Sequence, residues 1–450
     1  MQMNRVLVFM ATLSLSVASV NAEPQHKWTL RECIDYALAN NITLKKAELT
    51  RRSKAEDTKQ SKAALLPSLN AQTNQSVGHR PWNDIGVSTV TNGTVASSVK
   101  KSYYNGSYGV SASWTVWDGN ANRNAVKQSK IAEQQAELTE AETSNSIQEE
   151  IAKLYVQILY LKEAITITKQ NYETSLKNEE RGRELVEIGK MSKAGLAQLT
   201  AQAAADKYSV VEAESNLASY TTQLMQVLEL TEENNFDIDF AAADDGLALA
   251  DIPDLQSVYE TALTSRPEIK NSILAIEGSN TSLAIAKAGK LPTLSLSGGV
   301  ATSTTSMNSR SWGTQLKTNF DASVGATISI PIADNRKTKT AVNKAKLQQE
   351  EYKLELQEKK KHIYNTVDTY WLDATTNQAK FKAAQASVES EQTGYDLLSE
   401  QFRLGMKNIV ELMTGKSNLM TAQQNKLQSK YTTILNIQLL RFYKGETLNI

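Results

Sequence analysis

Two stretches, residues 120–188 and 335–404, contain no proline and one glycine apiece, Gly182 and Gly394. As α-helix, at 1.5 Å per residue, each extends on the order of 100 Å. Helices of globular domains seldom exceed about 25 residues, so a compact globule is excluded. Within the first run Ile147, Ile151, Leu154, Ile158, Leu161 and Ile165 recur at steps of four and three. Ile363, Val367, Tyr370, Ala374, Asn377, Phe381, Ala384 and Val388 keep the same rhythm in the second. A mean step of 3.5 residues is a coiled-coil seam. Each run ends at a glycine turn, Ile188-Gly189-Lys190 or Leu404-Gly405-Met406, where positive φ stops a helix. Shorter return helices follow over residues 194–230 and 409–443. The first of them carries Leu196, Leu199, Ala203, Val210, Ala213, Leu217, Tyr220 and Leu224 in register. The chain should therefore form two long antiparallel helical hairpins.

The second constraint is internal repetition. At a shift of 225 residues Leu30 meets Leu255, Ala37 meets Ala262, Leu44 meets Ile269, and Leu66-Pro67 meets Leu291-Pro292. At a shift of 216, Asp118 meets Asp334, Ala125-Val126 meets Ala341-Val342, and Gly189 meets Gly405. Ile147, Ile151 and Leu154 meet Ile363, Val367 and Tyr370 in that frame. The reading is a tandem duplication, residues 23–230 and 255–450, each unit running helix, strand, strand, long helix, shorter helix. The first helix begins at Leu30 and ends at Leu65-Leu66-Pro67, since the residue before proline is pushed out of the α region. Residues 231–254 between the units are acidic and non-periodic, which suggests a surface connection with little rigid structure.

Four segments alternate with period two: residues 69–78, 106–117, 293–302 and 320–332. In the second, Tyr108, Val110, Ala112, Trp114 and Val116 alternate with Ser107, Gly109, Ser111, Ser113 and Thr115. In the fourth, Phe320, Ala322, Val324, Ala326, Ile328, Ile330 and Ile332 oppose Asp321, Ser323, Gly325, Thr327 and Ser329. An apolar face backed by small polar residues, with aromatics near the ends, is the pattern of a transmembrane β-barrel. Four strands cannot close a barrel, and an open edge cannot sit in hydrocarbon. Other copies of the chain must supply the remaining strands.

The N-terminus carries Arg5, an apolar run from Val6 to Val20 and a small residue at Ala22, which reads as a secretory signal peptide over residues 1–22. No later stretch approaches the roughly 20 apolar residues of a membrane helix. Basic and acidic residues balance at 49 each, so nothing directs the chain to nucleic acid. A single cysteine, Cys33, excludes an intramolecular disulfide framework and stands too far into the mature chain to be a lipid-anchored first residue. His26, His79 and His362 are scattered on unlike elements, and no HExxH, GxSxG or phosphate loop is present. Neither catalysis nor a cofactor or metal site is expected. A secreted coiled-coil structural or adhesive protein would explain the heptads and the leader, but not four amphipathic strands in repeated positions.

The paired segments LLPSL and KLPTL (65–69 and 290–294), the strand exits Val116-Trp117-Asp118-Gly119 and Ile330-Pro331-Ile332-Ala333-Asp334, and the tips EIGKMS and RLGMKNIVEL complete the pattern. In their twofold order the chain resembles the TolC-like outer-membrane efflux family over essentially its whole mature length. The resemblance implies a mostly α fold with membrane β: a homotrimer with a twelve-stranded β-barrel in outer-membrane lipid and a periplasmic coiled-coil tunnel. It implies the exit duct of a tripartite efflux or type I secretion system, docking a periplasmic adaptor at its hairpin tips and fed by an inner-membrane pump. The adaptor-docking candidates are Gly189, Lys190, Met191, Gly405, Met406 and Lys407. Family members carry acidic residues just after the second tip glycine. Glu411 matches the first such position and is the candidate for cation selectivity at the tunnel mouth, whereas the next position holds Thr414. Where the family pairs an Arg with an Asp to lock the tips, this chain has Lys407 and Gly195. Any lock must use other contacts.

Overall fold

The computed structural model describes residues 27–82, 85–90, 93–98, 100–231, 236–239 and 244–449. The expected signal peptide, residues 1–22, lies outside them. In chain order the first half holds β1 (Lys27–Trp28), α1 (Leu30–Asn40), α2 (Ile42–Ala63), β2 (Ser68–His79), β3 (Ile85–Val90), β4 (Gly93–Ser98), β5 (Ser102–Trp117), α3 (Ala121–Glu187) and α4 (Lys193–Val227). The second continues with β6 (Asp237–Ile238), α5 (Asp245–Ala248), α6 (Leu255–Ser265), α7 (Pro267–Ala288), β7 (Thr293–Thr305), α8 (Trp312–Thr318), β8 (Asp321–Ser329), α9 (Lys337–Arg403) and α10 (Ile409–Tyr443). Corresponding helices match in length: 11 residues for α1 and α6, 22 for α2 and α7, 67 for α3 and α9, 35 for α4 and α10.

The expected continuous helix from Leu30 to the LLPSL kink is in fact two. Asn41 takes ψ 127 and its side chain accepts the amides of Thr43 and Leu44, so it ends one helix and caps the next. Arg266, at the equivalent place in the second half, also stands in extended backbone, with Pro267 opening α7 behind it. Burial works against the Arg266 charge, but Glu149 at 3.0 Å, Glu268 at 3.1 Å and the Tyr443 ring 4.0 Å below hold it.

Strands β2, β5, β7 and β8 form one antiparallel sheet in that order. Its register aligns the alternation across all four strands. Leu69 faces Ala112, Val110 faces Val300, Trp114 faces Leu296, and Leu294 faces Ile328. On the other face Asn70 meets Ser111, Ser113 meets Ser297, and Ser295 meets Thr327. Three strand boundaries differ from the sequence reading by three residues or more, one being β7, which runs on to Thr305. β5 begins at Ser102, because Tyr103 and Tyr104 continue the ladder against Gly78 and Val77. β8 stops at Ser329, since Pro331 offers no amide to a ladder. The hairpin of β3 and β4, and α8, are elements that the periodicity did not reveal.

Both strand-to-helix exits use one device. Gly119 and Asn120 take φ of 71° and 69°, and Asn335 and Arg336 take 50° and 68°. The carboxylates of Asp118 and Asp334 then accept the amides of Asn122 at 2.9 Å and Thr338 at 2.7 Å, anchoring the first turns of α3 and α9.

The largest core forms where α1, α6, β1 and β6 wrap the middle of α3 and the C-terminal half of α10, around Cys33, Ile151, Ile158, Val258, Val367, Leu439 and Leu440. Burial pushes the Cys33 thiol up to about 12. The acidic connection carries more order than its composition suggests: β6 pairs in parallel with β1, Phe236 and Ile238 are buried, and Asp245 bridges Lys426 and Lys430.

Candidate functional site at the hairpin ends

The heptad residues account for how the tips are held. Ile147, Ile151, Ile158, Leu161 and Ile165 are buried on α3, as are Leu199, Ala203, Val210 and Leu224 on α4. Ile363, Val367, Ala374, Phe381 and Ala384 are buried on α9. Below Ile165 the α3 seam turns polar, and the buried positions become Asn171, Ser175 and Glu179. Gly182 then permits close helix contact, since a Cβ there would lie 2.5 Å from Leu199 Cδ1.

At the first tip Gly189 takes φ 71° with open space around it. Its amide donates to Val186 O at 3.0 Å, and the Lys190 amide donates to Leu185 O at 2.8 Å, closing α3 in a Schellman turn. Ser192 caps α4 through the Gly195 amide at 3.1 Å. At the second tip Gly405 takes φ 75°, its amide donating to Phe402 O at 3.0 Å and that of Met406 to Gln401 O at 2.9 Å. Asn408 and Glu411 form a capping box at the start of α10. Lys407 Nζ reaches Glu411 Oε1 at 2.6 Å. That contact first, and the Asn408 amide second, hold the Glu411 carboxyl below its ordinary range.

Lys190, Gly189, Gly405, Met406 and Lys407 are exposed, Met406 to 70%. Met191 is half-buried, lying over Gly195, where a Cβ would come within 3.1 Å of its Cγ. The two tips of one chain pack side by side: Leu185 shares a cluster with Tyr395, Phe402, Leu412 and Leu419, and Met191 and Ile409 cover it. Of the seven residues singled out by sequence, Met191 joins this shared cluster and Lys407 pairs with Glu411, while Gly189, Lys190, Gly405 and Met406 stand exposed at the two turns.

Sequence reading missed the polar clasp above this cluster. Lys416 of α10 is buried, and its ammonium donates to Asp206 of α4, to Ser175 of α3, and to the Asn171 carbonyl at 2.8 Å. Ser175 Oγ donates in turn to Asp206 Oδ2 at 2.6 Å. A signal existed, because Asp206 interrupts the apolar step between Ala203 and Val210. Among the described residues no group of three or more His, Cys, Asp or Glu is arranged to hold a metal ion.

The profile of the family described as outer membrane efflux protein matches residues 33–229 and again 258–446. The chain belongs to that family. Outer membrane protein TolC of Escherichia coli (strain K12) is 21% identical over 443 residues, covering 96% of this efflux protein and 85% of TolC. Among solved structures, a CusC channel superposes with TM-score 0.79 at 15% identity, over 95% of this chain and 96% of that one. The CmeC outer membrane channel of Campylobacter jejuni gives 0.75 at 20% identity, over 99% and 95%. These channels share the fold of this efflux protein. Membership in a family of transport conduits leaves the alternative of a secreted adhesive coiled coil without support. Among the described residues no helix of this efflux protein is long and apolar enough to cross a membrane.

Proposed function

We propose that this efflux protein is the passive exit duct of a tripartite efflux or type I secretion system, exported by residues 1–22 and assembled as a homotrimer in the outer membrane. The observation that carries this is the four-stranded sheet with one largely apolar face and two open edges, β2 and β8. The strands alternate in direction, so β8 of one copy meets β2 of the next antiparallel, and closure leaves no unpaired backbone in lipid. Three copies give twelve strands with Val324 and Ile328 toward lipid. Both are far more exposed in one chain, at 91% and 68%, than a soluble fold would leave them. The equal helix lengths and the double match to one family profile support descent by tandem duplication.

The long hairpins extend into the periplasm, where Gly189, Lys190, Met191, Gly405, Met406 and Lys407 meet an adaptor protein that couples the duct to an inner-membrane pump. Glu411 copies ring the narrow end and favour cations, an effect tempered by Lys407 at 2.6 Å. Conductance of the purified trimer in a planar bilayer tests both parts. A channel whose cation preference weakens in Glu411→Gln is expected. No conductance from the reconstituted trimer defeats the duct, and an unchanged ion preference removes Glu411 from it.

A further inference from the structure

The segment between β7 and β8 folds back as α8 against the apolar face of the sheet. Thr302 Oγ1 donates to Leu316 O at 2.7 Å, and the Trp312 ring stands edge-on to Tyr108, centroids 6.2 Å apart. Thr302 and Tyr108 are register partners on the side that carries Val300 and Val110. Buried Gln315 fixes the turn, accepting the Thr305 amide at 2.7 Å and donating to Arg310 O at 2.8 Å. Asn319 adds a bond to Ser303 O at 2.7 Å. Trp312 nonetheless stays 56% exposed, and Arg310 and Lys317 are exposed beside it.

Height along the strand decides what this element meets. Tyr108 and Trp117 lie on the same face of β5, nine residues apart across an irregularity after Thr115. That is about 30 Å along the strand, or about 23 Å across a bilayer at a tilt near 40°, close to the height of a barrel's apolar band. Trp117 therefore marks one interface, while Tyr108 and Trp312 mark the other, at the end far from the long helices. There Lys100 Nζ also lies, bonded to Ser306 O at 2.9 Å. Between residues 289 and 332 the sole acidic residue is Asp321, opposite Ala301 on the polar face.

We propose that α8, with Trp312, Arg310 and Lys317, is a seat on the outside of the barrel for outer-leaflet lipid whose phosphate head group is net anionic. The inference rests on the barrel reading above. Trp312 lays its ring against the acyl boundary, where amphipathic rings collect. Arg310 and Lys317 reach outward to head-group phosphates. The internal hydrogen bonds of α8 let its backbone lie at that depth.

The full-length trimer, reconstituted with phosphatidylcholine and phosphatidylglycerol, provides the test. An environment-sensitive fluorophore is placed at Gly313→Cys, where an added Cβ meets nothing within 4 Å, or at Val324→Cys in mid-band. Cys33, fully buried, stays unlabelled. Bromines near the glycerol level should quench the Gly313→Cys label, and mid-chain bromines the Val324→Cys label. An aqueous Gly313→Cys label beside a lipid-immersed Val324→Cys label overturns the seat and spares the barrel. Two aqueous labels overturn the barrel itself. Spin-labelled phosphatidylglycerol should be preferred over phosphatidylcholine by about twofold. That preference should fall to about one in the double variant Arg310→Gln, Lys317→Gln, and should withstand inorganic phosphate at constant ionic strength. A preference unchanged in the variant, or abolished by free phosphate, rejects lipid phosphate as the ligand.

Discussion

The ammonium of Lys416 is locked onto the carboxylate of Asp206, joining α10 to α4 and, through Ser175 and the Asn171 carbonyl, to α3. Both side chains are 6% exposed. Burying two charges is costly, and the pair persists because each donor has an acceptor within reach. Removing one partner strands the other. Lys416→Met or Asp206→Asn should therefore cost about 3–5 kcal/mol locally. The double change Lys416→Met, Asp206→Leu should recover most of it. Hydrogen exchange of the peptides around Asn171 and Lys416, in the purified full-length protein, measures this. Single variants with native protection would mean that the clasp contributes nothing to holding the two hairpins together.

The paired strand exits yield a prediction of opposite signs. Arg336 takes a left-handed conformation that costs a non-glycine residue about 1–2 kcal/mol, so Arg336→Gly should stabilise by roughly 1 kcal/mol. Gly119→Ala should destabilise, because a Cβ there would lie 2.9 Å from Leu291 Cδ1 and the backbone is already at φ 71°. Thermal unfolding of the purified protein in detergent should rank the variants above and below the native chain respectively.

Glu411 ties tip order to pH. Its folded pKa is lowered, by Lys407 first and the Asn408 amide second. A lowered carboxyl contributes fully above its unfolded value, about 4.3, and that contribution fades as pH falls through the lower folded value. Amides of the first turn of α10 should keep their protection at neutral pH and lose it only in acid. Glu411→Ala should remove the dependence. Equal protection on both sides of that window would contradict the assignment.

The sheet faces can be separated by a single charge. Val324 sits on the apolar face opposite Gly298, and its neighbour Ser323 on the polar face opposite Gly299. Arginine at a lipid-facing midplane position costs about 2–4 kcal/mol, against little on the lumen side. Val324→Arg should impair assembly of the proposed trimer, whereas Ser323→Arg should be tolerated and change conductance.

The proposed adaptor docking at the tips predicts loss of affinity without loss of stability. Met406 is exposed and its side chain is free to adapt to a partner. Met406→Ser combined with Lys190→Glu should weaken capture of the cognate adaptor by about tenfold, some 1.4 kcal/mol. The melting temperature should stay put. Undiminished capture would move the docking surface elsewhere on the hairpins.

Local rules were enough to read the long helices from the sequence, because absence of proline, heptad steps and terminal glycines act within a few residues. The run 120–188 became α3 to within a residue at each end. Strand alternation was equally legible, since a period of two is a property of one strand alone. The tip residues came from position and resemblance, and of them the fold draws Met191 into the cluster that joins the two tips. What the tertiary structure alone decided involves distant partners. Asn41 breaks a helix only with Val227 O waiting 2.9 Å from its amide nitrogen. The order of β6 depends on β1, roughly two hundred residues earlier, and Trp312 of α8 meets its edge-on partner, Tyr108, only once β5 and β7 have paired. The Lys416–Asp206 clasp spans 210 residues. A buried charge looks like an error in a heptad until the chain folds and supplies its counter-charge, so periodicity could mark the place but not name the partner.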